Sequence, residues 1–184
     1  DYFDNTVYIS PTVHNDNTLQ HMRKIAEEDS NLILLDNPEM IDSTLEKIVE
    51  QQKESEDEHI LIILDDCLGF IKRQSYLTYL CTRYRHWKLS LIITSQDFRS
   101  IPNIVRQNAS GYIIFKCPNK KEYQKIDDEF SSLYDQFEDM YKYATHELYN
   151  FLFINLRNLD CYHNFIEKIY SKEDDKYFIP INNI

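Results

Sequence analysis

At 184 residues with 42% hydrophobic content, the chain is long enough for one α/β domain with a substantial core and short for two of ordinary size. A net charge of −11 argues against a general nucleic-acid coat, no apolar run approaches the roughly 18–20 residues of a membrane span, and the opening DYFDNTVYIS lacks the basic start and apolar stretch of a signal peptide. Four cysteines (Cys67, Cys81, Cys117, Cys161) stand 14, 36 and 44 positions apart, giving neither a C-x-x-C pair nor a zinc spacing, so the expected setting is soluble, intracellular and reducing.

Short apolar runs alternate with helical patterns, which predicts βα units and a mostly parallel α/β sheet. Val7 to Ser10 reads as a strand closed by Pro11, and Leu19, Met22, Ile25 and Ala26 mark one face of a helix capped by Asn17 or Thr18. Leu32 to Leu35 is the next strand. Ile41, Leu45, Ile48, Val49 and Gln52 trace a second helix that runs into the acidic loop Glu54 to Glu58. Ile60 to Leu64 is the most apolar run of the chain and suits a central strand buried on both faces; Asp65 and Asp66 end it. A helix is expected next, with Phe70, Gln74, Leu77, Cys81 and Tyr84 on one side. Leu89 to Thr94 forms a further strand that finishes at Ser95 and Gln96, followed by a helical turn or loop over Ile101 to Asn108 and a strand over Gly111 to Phe115. Helical spacing from Ile126 through Phe130, Leu133, Phe137 and Met140 to Ala144 predicts one long helix, with a break placed at Ser131 and Ser132. Phe151 to Ile154 reads as the last core strand, and Tyr177 to Ile181 as an edge strand.

Ligands in open α/β sheets bind at the carboxyl ends of the strands, so the polar residues there carry the functional signal. Adjacent acids after ILIIL are costly beside a dry core unless a cation or solvent neutralises them. Four apolar residues followed by two acids occur in nucleotide hydrolases, receiver domains and metal nucleases alike. Gln96 repeats the geometry at the tip of the following strand, with Thr94 and Ser95 beside it, and an amide can hydrogen-bond a phosphate oxygen and a water together. Cys161 and His163 are two candidate metal ligands without a second pair.

The charge is unevenly spread. Residues 67 to 125 hold eleven Lys/Arg against two acids, Asp97 and Glu122, whereas residues 1 to 66 carry −13 and residues 126 to 184 carry −7. The basic third includes Lys72, Arg73, Arg83, Arg85, Lys88, Arg99 and Arg106. It reads either as ordinary surface charge or as a phosphate-facing edge.

The strings HILIILDDCLGF, TRYRHWKLSLIITSQ and IPNIVRQNASGYIIFKCPNKKEYQKI, in that order, resemble the packaging ATPases of poxviruses, related large DNA viruses and virophages, within the FtsK and HerA superfamily of P-loop NTPases. The resemblance spans residues 1 to about 130 and implies a P-loop-type sheet with helices on both faces. It makes Ile60 to Asp66 the Walker B strand, with Asp65 holding Mg2+ and Asp66 activating the water. It also implies that Ser95 and Gln96 contact ATP, and that Arg106, with Arg85 behind it, reaches a neighbouring subunit's nucleotide. It further implies a homo-oligomeric ring, expected to be a hexamer, that drives double-stranded DNA through a central pore into a capsid, with the viral capsid or portal vertex as partner, in the host cytoplasm or the virion. Lys72 and Arg73 are the candidate DNA contacts. The expected organisation is an ATPase core over residues 1–155 and a C-terminal extension over 156–184. With two glycines, Gly69 and Gly111, the chain cannot contain a glycine-rich phosphate loop, and truncation ahead of Asp1 is the expected reason, which would leave this piece inactive alone. Two other classes remain open: a metal-dependent nuclease using Asp65, Asp66 and a third acid such as Asp36, and a non-catalytic scaffold of the same fold.

Overall fold

The computed structural model describes residues 2–54, 57–71 and 75–179, excepting the side chains of Leu68 and Arg85. The chain divides into two compact units, Asp1–Asn108 and Ala109–Ile184.

The first unit is built on a four-stranded sheet, β1 (Asn5–Ile9), β2 (Leu32–Leu35), β3 (Ile60–Leu64) and β4 (Leu89–Ile93), in the order β2-β1-β3-β4. Every pairing is parallel, as the alternation of apolar runs with helices predicts. The helices are α1 (Gln20–Glu28), α2 (Ile41–Glu54), α3 (Tyr76–Cys81) and α4 (Asn103–Gln107). Ile41, Leu45, Ile48 and Val49 of α2 join Leu77, Leu80 and Cys81 of α3, with Val105 of α4, in one cluster with Val7, Ile9, Ile60, Ile62 and Leu64. Each such fully buried aliphatic side chain contributes about 1.5–3 kcal/mol, which is what holds β3 at the centre. Asp42 of α2 accepts the backbone N–H of Tyr76 at 2.9 Å and so caps the start of α3.

Where a helix is expected after Asp66, a 3-10 turn covers Leu68–Phe70 and α3 starts at Tyr76; Gln74, placed on the helix's buried side by its spacing, lies outside the described residues. Phe70, placed on the buried side by periodicity, is 48% exposed. Between α3 and β4 a second 3-10 turn runs from Tyr84 to Trp87 and closes on Lys88, whose left-handed backbone (φ 47°) redirects the chain.

The second unit is an antiparallel sheet, β5 (Gly111–Phe115), β6 (Phe151–Asn155), β7 (Asp160–His163), β8 (Glu167–Ser171) and β9 (Lys176–Tyr177), paired in chain order. The strands at Gly111 and Phe151 are where the apolar pattern places them, but they form this separate sheet. The residue 155/156 boundary falls in the turn between β6 and β7, which pair through Asn155 and Asp160. The long helix is two, α5 (Lys120–Phe130) and α6 (Phe137–Ala144), interrupted close to the expected serines. Phe130, Tyr134, Phe137 and Met140 are buried with Leu152, Ile154 and Cys161.

Candidate functional site

The parallel ladders on both sides of β3 continue one residue past the strands: Asp65 N–H bonds the Ile9 carbonyl of β1 at 2.9 Å, and Thr94 N–H, just past β4, bonds that of Leu64 at 3.0 Å. Rows of the sheet are in register, Tyr8 with Ile63 and Ile63 with Ile92, so residues two positions further on, Asp65 and Thr94, share the face that carries Tyr8. Asp65 is therefore met from both sides. The Tyr8 hydroxyl donates to its Oδ2 at 2.6 Å, and the Thr94 hydroxyl donates to its Oδ1 at 2.5 Å. Hydrogen bonds to an ionised acceptor contribute about 1.5–3 kcal/mol each, enough to offset much of the cost of placing a carboxylate at the edge of an apolar core. Burial, reinforced by the Asp65 carboxylate, holds the Tyr8 phenol protonated far above the usual range.

Asp66 turns the chain. Its backbone is left-handed (φ 53°), its N–H donates to Thr94 Oγ1 at 3.2 Å, and its exposed carboxylate accepts Gln96 Nε2 at 3.3 Å. Asp65, Asp66 and Gln96, picked out by position in the sequence, are thus brought together across the β3–β4 seam. Ser95 supports the turn that presents Gln96: its hydroxyl lies 2.8 Å from the Asp97 carbonyl and 3.0 Å from Ser100 Oγ, and accepts the Asp97 N–H at 3.1 Å.

Arg106 is folded onto its own loop. Its Nε donates to the Ile101 carbonyl at 3.3 Å, Nη2 lies 3.4 Å from Asn103 Oδ1, and the guanidinium stands 5.0 Å from the centre of the Phe98 ring. The backbone of Arg85 lies in the 3-10 turn before β4, its side chain outside the described residues, and Lys72 and Arg73 also lie outside them. The neighbouring His86 donates its backbone N–H to the Arg83 carbonyl at 2.9 Å and holds that turn.

The donors gathered at Asp65, Asp66, Thr94 and Gln96 are all oxygens apart from the Gln96 amide nitrogen, which suits a hard divalent cation. The Cys67 thiol is turned away: it is fully buried, donates to the Ile9 carbonyl at 3.2 Å, and is pushed up to about 11 by burial and by Asp65. Among the described residues no three His, Cys, Asp or Glu side chains gather into a metal site, so a cation here would complete its shell from phosphate and water. The nuclease reading accordingly finds no third acid among them; the described partner of Asp36 is His14, at 3.9 Å. No helix among the described residues is long and apolar enough to cross a membrane.

Tyr8 is not marked in the sequence as a partner of Asp65. Its signal was faint: one tyrosine in a strand otherwise suited to burial, legible only once β1 is known to neighbour β3.

A parallel sheet flanked by helices is also the fold of solved viral genome-packaging NTPases. The B204 packaging NTPase of Sulfolobus turreted icosahedral virus 2, solved with AMPPCP, superposes with a TM-score of 0.56 at 15% identity, covering 89% of this chain and 97% of that one. B204 of Sulfolobus turreted icosahedral virus, described as a DNA-packaging ATPase, gives 0.56 at 16% identity, covering 89% and 98%. The chain belongs to the poxvirus A32 protein family, whose sequence profile matches residues 19–127. It is also 29% identical over 133 residues to uncharacterized protein 075L of Invertebrate iridescent virus 6; that match takes in 64% of this chain and 51% of the relative, so the chain spans about half the length of the curated relative.

Proposed function

We propose that the chain is the nucleotide-hydrolysing core of a viral genome-packaging ATPase that couples ATP hydrolysis to movement of double-stranded DNA into a capsid. The observation that carries this reading is the meeting of Asp65, Asp66 and Gln96 on two adjacent parallel strands, with Gln96 Nε2 3.3 Å from Asp66 Oδ2. Family membership supports it, as do structural neighbours solved as complexes with AMPPCP, AMP and ATP-gammaS.

A divalent cation such as Mg2+, when bound, would supply charge neutralisation for the nucleotide's phosphates. Asp65 is the residue that would hold it, because its carboxylate is fixed in place and each oxygen keeps a lone pair beyond its hydroxyl donor. Asp66 orients the attacking water and takes its proton as the water oxygen bonds to the γ-phosphorus and the bond to the bridging oxygen breaks, leaving ADP and phosphate. Gln96 releases Asp66, donates to a γ-phosphate oxygen and holds the water through its carbonyl, with Ser95 shaping the turn beneath it. Arg106, freed from its loop, acts on the nucleotide of the adjacent subunit in a homo-oligomeric ring, a hexamer, with Arg85 as the second arginine. Lys72 and Arg73 contact DNA phosphates, and binding is salt-sensitive without sequence preference. The ring works at the capsid portal vertex, in the host cytoplasm or the virion.

The test is hydrolysis by the full-length protein. ATP turnover with magnesium is expected, and Asp66→Asn and Gln96→Ala should each abolish it while labelled nucleotide still binds. Full turnover in both variants would remove the roles assigned here, and a full-length protein that binds but never hydrolyses would favour the scaffold.

A further inference from the structure

Asp65 is gripped from two strands at once. Tyr8 on β1 takes one carboxylate oxygen and Thr94, just past β4, takes the other, at 2.6 and 2.5 Å. Those lengths belong to charge-assisted O–H···O⁻ bonds. Donors on both oxygens block rotation of the carboxylate about its own bond, while neutral hydroxyls leave its negative charge intact.

The Tyr8 hydroxyl is not explained by packing. The residue is 7% exposed, and phenylalanine would bury the same ring without bringing a hydroxyl out of water. What the oxygen adds is the bond to Asp65. We propose that Tyr8 is a positioning residue for the metal-bound nucleotide: it fixes the Asp65 carboxylate in the orientation in which the divalent ion is received. This rests on the nucleotide-site reading above and adds a member to the site from a strand that carries none of the residues assigned there.

The test measures Mn2+ affinity of the full-length protein by electron paramagnetic resonance, in the presence of a non-hydrolysable ATP analogue. Tyr8→Phe should weaken Mn2+ binding about ten-fold, the lower end of what loss of a partner behind a metal ligand causes. It should leave nucleotide affinity in EDTA close to wild type and the protein cooperatively folded. In steady state it should raise the Mg2+ concentration for half-maximal turnover by a similar factor and retain kcat at saturating Mg2+, a split that simple loss of folded protein cannot produce. Thr94→Val, which frees the opposite oxygen without touching the Tyr8 packing, should weaken Mn2+ binding likewise. Asp65→Asn separates the two levels of the reading. If Asp65→Asn leaves Mn2+ affinity unchanged, the metal assignment itself is wrong; if it abolishes binding while folded Tyr8→Phe binds Mn2+ like wild type, Tyr8 merely packs and the positioning role is overturned.

Discussion

Thr94 links the two acids: the oxygen that donates its hydroxyl proton to Asp65 at 2.5 Å also accepts the backbone N–H of Asp66 at 3.2 Å. One side chain therefore sets the carboxylate of the first acid and the backbone of the second. Thr94→Val keeps the shape and removes both bonds, so turnover is expected to fall at least ten-fold through misplacement of both groups, equivalent to about 1.4 kcal/mol in the barrier. Thr94→Ser restores the hydroxyl and should recover most of the rate. Equal rates for the valine and serine variants would show that the hydroxyl is idle.

The cysteines should sort by environment. Burial pushes Cys67 and Cys81 up to about 11 and Cys161 up to about 12, whereas Cys117 is half-buried near the surface. At pH 8 a thiol at about 11 is ionised in about one molecule in a thousand, and the thiolate is the reacting form. Native alkylation followed by peptide mass analysis should find Cys117 modified first, with the other three protected until denaturant is added. Early labelling of Cys67 would mean that the β3 end opens readily.

Gly111 opens β5 where the neighbouring strand comes close. A Cβ there would stand 2.8 Å from the Ile154 carbonyl oxygen and 3.0 Å from the Phe153 ring. The backbone oxygen cannot step aside without disturbing the β5–β6 ladder. Gly111→Ala is expected to destabilise the second unit by about 1–3 kcal/mol, read as a lower melting midpoint, and an unchanged midpoint would contradict the strand packing described.

Asp160 ties β7 to β8. Burial pushes its carboxyl up, but the Lys168 ammonium at 2.6 Å, the Lys172 N–H at 3.0 Å and the Tyr162 hydroxyl outweigh it and leave it below the ordinary 3.8. Because the folded value is the lower one, the stabilisation is complete above pH 3.8 and is lost as pH falls through the folded-state value. Urea unfolding from pH 7 to pH 3 should show that acid limb, and Asp160→Asn should lower stability near neutrality and flatten the limb. An unaltered slope in the variant would assign the acid sensitivity elsewhere.

What could be read from residues alone follows from how local each signal is. Ile60 to Leu64 states its burial and its acids in seven consecutive letters, and the repeat of that pattern at Leu89 to Gln96 suggested neighbouring strands, which the β3–β4 register bears out. Tyr8 could not be read, because its meaning depends on pairing across 57 positions of sequence. The antiparallel sheet of the second unit was likewise illegible: Gly111 to Phe115 and Phe151 to Ile154 look alike whether their partners run parallel or antiparallel. The tail after Asp160 hid three short strands because Asp160 is a buried carboxylate held by the Lys168 ammonium and the backbone N–H of Lys172, and periodicity takes such a polar residue for surface.

The left-handed backbone at Asp66 constrains which acid can stand there. Aspartate and asparagine tolerate that torsion because their short polar side chains bond locally, whereas other non-glycine residues meet a steric cost of about 1–2 kcal/mol. A glutamate, chemically as good a proton acceptor, would carry that cost and extend one methylene further from β3. Drift between the two acids, neutral at most surface positions, is therefore closed at this one by the shape of the main chain before any reaction is considered.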